Sequence, residues 1–88
     1  MPIRTATVAS ASGLHARPAK LFAQAAKDAG VPIKVSRSDK TVNAASILAV
    51  MSLGARQGDE VTIMVEGDDA EVILDRLVDV VETNHDAE

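Results

Sequence analysis

Cysteine is absent from this chain, which excludes disulfide staples and thiolate chemistry. Tryptophan and tyrosine are absent as well, and Phe22 is the single aromatic residue. The chain therefore has no platform on which nucleic-acid bases could stack. Positive charge is the scarcer sign: nine Lys and Arg stand against thirteen Asp and Glu, a formal net charge of -4. A nucleic-acid binder normally carries a basic footprint, so no nucleic-acid partner is expected. No apolar run approaches the roughly 20 residues that a bilayer-spanning helix needs. Met1-Pro2-Ile3-Arg4 has none of the apolar core of a signal peptide. The expectation is a cytoplasmic chain with no membrane partner. The acidic pairs Asp59-Glu60 and Asp68-Asp69 read as turn and cap chemistry, without metal-ligand spacing. Neither a metal nor a cofactor is called for.

Eighty-eight residues allow one domain, 1–88, with a small core. Hydrophobic residues make up 47% of the chain, many of them Ala and Val, so small aliphatic side chains must do the packing. Residues 2–8 read as a strand through Thr5, Thr7 and Val8. Residues 16–29 read as a helix, because Ala19, Phe22, Ala23 and Ala26 make one apolar stripe. Pro18 falls in its first turn, where a missing N–H costs little, and Gly30 marks its end. The opposite face carries Arg17, Lys20, Gln24 and Lys27. Val31, Ile33 and Val35 alternate as a strand, Ser36-Arg37-Ser38-Asp39 is a turn, and Thr41-Val42 is a short returning strand. A short helix over 47–53 follows, with Ser46 at its N-cap and Gly54 at its exit. After the turn Gln57-Gly58-Asp59, a strand alternates through Val61, Ile63 and Val65. The last helix, 69–83, opens with Asp68 and Glu71 as a capping box. Its buried stripe is Ala70, Ile73, Leu74, Leu77 and Val81. His85 lies in a polar, solvated tail. The fold class is α+β: βαββαβα, one antiparallel sheet with helices on one face, an open-faced two-layer sandwich.

The chemistry concentrates in Gly13-Leu14-His15-Ala16-Arg17-Pro18-Ala19. Imidazole is a nucleophile near neutral pH. A helix start offers unpaired N–H groups and a positive dipole end, and arginine adds a fork that matches phosphate oxygens. Together these can take a phosphoryl group on His15 and hold it. A lone histidine at such a position is also an ordinary loop or capping residue. Gly13, which allows a sharp turn, and the nearby Arg17 favour the phosphoacceptor.

This segment resembles the active-site motif of the HPr family, the histidine-containing phosphocarriers of the bacterial phosphoenolpyruvate:sugar phosphotransferase system. The run Asn43-Ala44-Ala45-Ser46-Ile47-Leu48-Ala49-Val50-Met51-Ser52-Leu53-Gly54 resembles the family's second signature, around its regulatory serine. The resemblance implies a four-stranded antiparallel sheet in the order 1-4-2-3. It implies that His15 accepts a phosphoryl group on Nδ1 from phosphorylated enzyme I and passes it to a histidine on the IIA domain of a sugar-specific enzyme II. Arg17 would then steady the phosphate and Pro18 would fix the helix start. Ser12 stands where relatives often carry a small polar residue. In some lineages a serine kinase, countered by a phosphatase, acts at the position of Ser46.

The short helix has its own logic. Ile47, Leu48, Val50, Met51 and Leu53 occupy almost every position of two turns, and a helix lying on a sheet buries only one face. With Val50 and Leu53 in the core, Ile47, Leu48 and Met51 face solvent beside Lys20 and Lys27. An apolar centre with a charged rim suits transient docking; a wholly buried helix is the plain alternative. A monomer is expected. Three other readings compete: a carrier in a nitrogen-related phosphotransfer chain, a ferredoxin-like ligand-binding module, and an HPr-like protein kept only for regulation through Ser46.

Overall fold

Four strands and three helices follow one another in the computed structural model, which describes residues 3–10, 13–14, 16–67 and 69–83. They are β1 (Ile3–Thr7), α1 (Ala16–Ala29), β2 (Ile33–Arg37), β3 (Lys40–Asn43), α2 (Ile47–Ser52), β4 (Glu60–Val65) and α3 (Ala70–Glu82). The strands form one sheet in the order β1-β4-β2-β3, with every neighbouring pair antiparallel. This is the order that the family resemblance implies. A ferredoxin-like module carries its first strand inside the sheet, whereas β1 lies at the edge, so that reading does not fit.

Alternation along the strands sorts the sheet into two faces. Ala6, Val61, Ile63, Val65, Ile33 and Val35 are buried, and the registers Ala6↔Val61, Val35↔Ile63 and Ile33↔Val65 bring them onto one face. The helices pack on this face. From α1 it receives Ala19, Phe22, Ala23 and Ala26, from α2 Val50, and from α3 Ala70, Leu74, Leu77 and Val81. Arg4 lies on the same face, one row from the rim, and reaches α3 by ion pairs to Glu71 at 2.9 Å and to Asp75. The other face presents Thr5, Thr62, Ser36 and Thr41 in one transverse row, paired strand to strand.

Several boundaries differ from those the sequence suggests. β1 starts at Ile3 and ends at Thr7. β2 begins at Ile33 rather than Val31, since Pro32 ahead of it has no N–H to give a ladder, and it runs on through Ser36 and Arg37. Those two residues pair with Thr41 and Lys40, so the turn shrinks to Ser38-Asp39, with Ser38 at φ 55°. α2 ends at Ser52 with Leu53 as its C-cap. α3 spans Ala70–Glu82 within the expected range, and Ile73 is only half-buried. Its N-cap is Asp69, which makes no side-chain capping bond; Asp68, the expected half of the capping box, lies outside the described residues.

Candidate functional site

The segment that opens at Gly13 begins on a backbone held from below. Gly13 has φ 76°, a left-handed conformation that disfavours any side chain. Its N–H donates to the Ser10 carbonyl at 2.9 Å, and the Leu14 N–H donates to the Ala55 carbonyl at 3.0 Å. A Cβ on Gly13 would stand 2.3 Å from the Ala55 oxygen and 2.9 Å from the Arg56 Cα. Glycine is thus required twice, by dihedral and by close approach. Gly13→Ala is expected to cost at least about 1–3 kcal/mol, the range for a strained backbone position. The denaturant midpoint reads it; a midpoint equal to the wild type would mean that Gly13-Leu14 leaves Ala55 freely.

Leu14 is buried, and α1 starts two residues later at Ala16. The first turn holds no acidic side chain, so nothing there opposes an anion at the positive end of the helix dipole. Arg17 is exposed on that turn, and Pro18 is buried under it. His15 and Ser12 lie outside the described residues, as does His85.

The basic stripe and the apolar patch come together as the helical spacing suggests. Lys20, Gln24 and Lys27 are exposed along α1. With Ala23 they line one side of an open recess of about 100 Å³ whose other side is Ala45 and Ile47. On α2, Val50 is fully buried, while Ile47, Leu48 and Met51 are 42%, 79% and 37% exposed. Leu53 is buried as well. Ser46 is the N-cap of α2, its Oγ accepting the Ala49 N–H at 3.2 Å. The plain N-cap function expected of Ser46 is therefore present.

One cluster had no counterpart in the sequence reading. The Asp59 carboxylate accepts the Arg56 N–H at 2.9 Å and the Arg37 Nε–H at 3.2 Å, and it forms an ion pair with Arg37 Nη2 at 2.9 Å. Arg37 Nη1 also donates to the Leu53 carbonyl at 3.2 Å, and Lys40 Nζ to that of Ser52 at 3.1 Å. Two cations of the β2–β3 hairpin thus satisfy carbonyls left open at the end of α2. The Arg56 N–H, and then the charge of Arg37, hold the Asp59 carboxyl below the usual carboxylate value. The turn signal at Gln57-Gly58-Asp59 was visible in the sequence, but the proximity of Arg37 is a tertiary fact.

Among the described residues no group of three His, Cys, Asp or Glu side chains is arranged to hold a metal, and no helix is long and apolar enough to cross a membrane.

The chain is similar to known proteins over most of its length. The family model described as "PTS HPr component phosphorylation site" matches residues 3–83. The phosphocarrier protein HPr of Streptomyces coelicolor is 45% identical over 82 residues, covering 92% of this chain and 88% of the relative. HPr of Thermoanaerobacter tengcongensis has a solved structure that superposes with a TM-score of 0.86 at 45% identity, over 93% of this chain and 92% of the other. A second structure from that organism, of an HPr dimer, gives a TM-score of 0.71 at the same 45% identity, over 93% and 94% of the two chains. With the strand order, the seated glycine and the acid-free first turn of α1 already in place, these matches lead to one conclusion: this chain belongs to the HPr family, the phosphocarriers of the phosphotransferase system.

Proposed function

We propose that His15 is the phosphoacceptor, taking a phosphoryl group from phosphorylated enzyme I and passing it to the IIA domain of a sugar-specific enzyme II. The carrying observation is the seat of the motif: Gly13-Leu14 fixed on Ala55-Arg56, followed directly by an α1 start that bears Arg17 and no acid. A neutral imidazole supplies the nucleophilic nitrogen. Once phosphorylated it needs no acid or base of its own, because the nitrogen–phosphorus bond is already reactive. Arg17 and the dipole of α1 offset the added charge, and Pro18 sets where the helix begins.

Partner choice is assigned to Ile47, Leu48 and Met51 with Lys20 and Lys27. The apolar centre gives contact area, and the lysines steer acidic partners without holding them. A carrier must leave one partner before it meets the next, so modest affinity is useful. Met51→Glu is expected to raise KM for enzyme I on the order of tenfold, the scale of one lost central contact, with kcat little changed. Unaltered transfer kinetics would remove Met51 from the interface.

Ser46 is assigned a regulatory role where the host carries a matching serine kinase. A phosphate there would add about -2 charge beside Ile47 and Leu48 and oppose an acidic partner, while the N-terminal dipole of α2 tolerates it locally. The working unit is a single domain acting as a monomer, because each partner must reach the α1–α2 face. A cytoplasmic setting fits a donor charged by phosphoenolpyruvate.

The test is incubation with phosphoenolpyruvate and enzyme I, followed by acid and alkali treatment. An acid-labile, alkali-stable phosphate is the expected product. Absence of label, with the same enzyme I active on another carrier, would overturn the reading and favour a different phosphotransfer chain.

A further inference from the structure

The described residues ahead of His15 are fastened to the turn over 55–59 at Val8, Ala9 and Leu14. The Val8 N–H donates to the Asp59 carbonyl at 2.9 Å, and the Gly58 N–H returns to the Val8 carbonyl at 2.9 Å. Gln57 Nε2 donates to the Ala9 carbonyl at 3.2 Å, and the Leu14 N–H to that of Ala55 at 3.0 Å. Gly13 is pressed on the same peptide. These bonds tie the two stretches together, and His15 follows Leu14 directly in sequence.

The geometry assigns Asp59, gripped by Arg37, as a positioning residue for phosphoryl acceptance: it fixes the 55–59 turn on which Gly13-Leu14 is seated, and so sets where His15 is presented. This rests on His15 being the phosphoacceptor. Three observations lead to it. The carboxylate closes the turn on itself, accepting the Arg56 N–H at 2.9 Å while the Asp59 N–H donates to the Arg56 carbonyl at 2.9 Å. The Arg37 fork then ties that turn to β2 and, through the Leu53 carbonyl, to the end of α2. Finally, Ala55 and Arg56, which a Cβ on Gly13 would strike, lie inside the segment so fixed. Asp59 touches no phosphate in this scheme and acts only through the backbone. Its depressed titration agrees with a carboxylate that is ionised and engaged.

Positioning predicts a kinetic pattern that general destabilisation does not. Small misplacements of a reacting group can cost up to about 100-fold in rate. Asp59→Ala is therefore expected to lower kcat for acceptance from enzyme I by between about 10- and 100-fold, at a temperature where the variant is fully folded by circular dichroism. KM should hold, since Ile47, Leu48, Met51, Lys20 and Lys27 are untouched. Asp59→Asn retains an oxygen for the Arg56 N–H and should recover most of the rate. Arg37→Gln leaves that N–H bond in place but removes the fork, and should fall between them. Arg4→Ala breaks both ion pairs to α3, which do not involve the 55–59 turn, and serves as the control for lost stability, with kcat unchanged.

A labelled wild type with unchanged kcat in both Asp59→Ala and Arg37→Gln would overturn the assignment. So would an Arg4→Ala protein with the same loss of kcat, which would make the effect one of stability. If Asp59→Ala does not fold, Arg37→Gln and Asp59→Asn decide alone, and equal kcat in all folded proteins counts against the assignment. A wild type that takes no acid-labile label would instead overturn the phosphoacceptor reading, and the role of Asp59 with it.

Discussion

His15→Ala is expected to accept no phosphoryl group from enzyme I while keeping its fold. Acid-labile label should fall to background, and the far-ultraviolet circular dichroism and melting temperature should stay near those of the wild type. The expectation follows from what else the motif offers. The Arg17 guanidinium is a donor only and has no lone pair to attack phosphorus. Ser12 carries a hydroxyl, a weak nucleophile unless a base activates it, and its phosphate ester would survive acid. His85 has an imidazole, but in sequence it stands between Asn84 and Asp86, with no glycine close before it and no arginine after it. Acid-labile label retained at wild-type level in His15→Ala would sink the site assignment, and loss of the same label in His85→Ala would then identify the alternative.

Phe22→Ala carries the largest expected effect on stability. Phe22 is the only aromatic residue in the chain and is completely buried in the middle of α1. Its neighbours in the core are mostly alanines and valines. Such side chains have few rotamers and little reach with which to refill the space. Phe→Ala in a core typically costs about 3–5 kcal/mol, against a total stability of about 5–15 kcal/mol for a natural domain. For a domain of this size the melting temperature should drop by roughly 12–40 °C. The variant should therefore be partly unfolded near physiological temperature, and its phosphoryl acceptance should recover on cooling. A drop under about 4 °C, worth no more than about 1 kcal/mol, would show that the core closes over the cavity.

Local and tertiary determinants separate cleanly in this protein. The range 16–29 for α1 can be read from the stripe Ala19, Phe22, Ala23, Ala26 and the stop at Gly30, and the structure gives Ala16–Ala29 with Gly30 at φ 71°. The division of α2 into buried Val50 and Leu53 and exposed Ile47, Leu48 and Met51 is also legible, because a six-residue helix on a sheet has one hidden side. β2 was less so. Ser36 and Arg37 look like turn residues, and only their pairing with Thr41 and Lys40 makes them strand. The strand order rested on the family resemblance, since alternation says which face is buried but not which strand is the neighbour. At the site, Gly13 announces a turn, yet its second requirement, the approach of Ala55, joins residues far apart in the chain. The Arg37–Asp59 clamp was invisible for the same reason: its members are 22 positions apart, and neither lies in a motif.

The sheet order bears on how the chain comes together in time. β1 and β2 each pair with β4 and never with each other. During synthesis the only strand pairing open to the nascent chain is therefore the β2–β3 hairpin, until Glu60–Val65 has left the ribosome. The strand that completes the sheet arrives late and must insert at its centre. β1 waits through the synthesis of more than half the chain with its edge unpaired, and closing that long loop is the slow, entropy-limited part of folding. A product truncated before β4 would keep three strands, with β1 unpaired and one edge of β2 open, a state prone to associate with other chains.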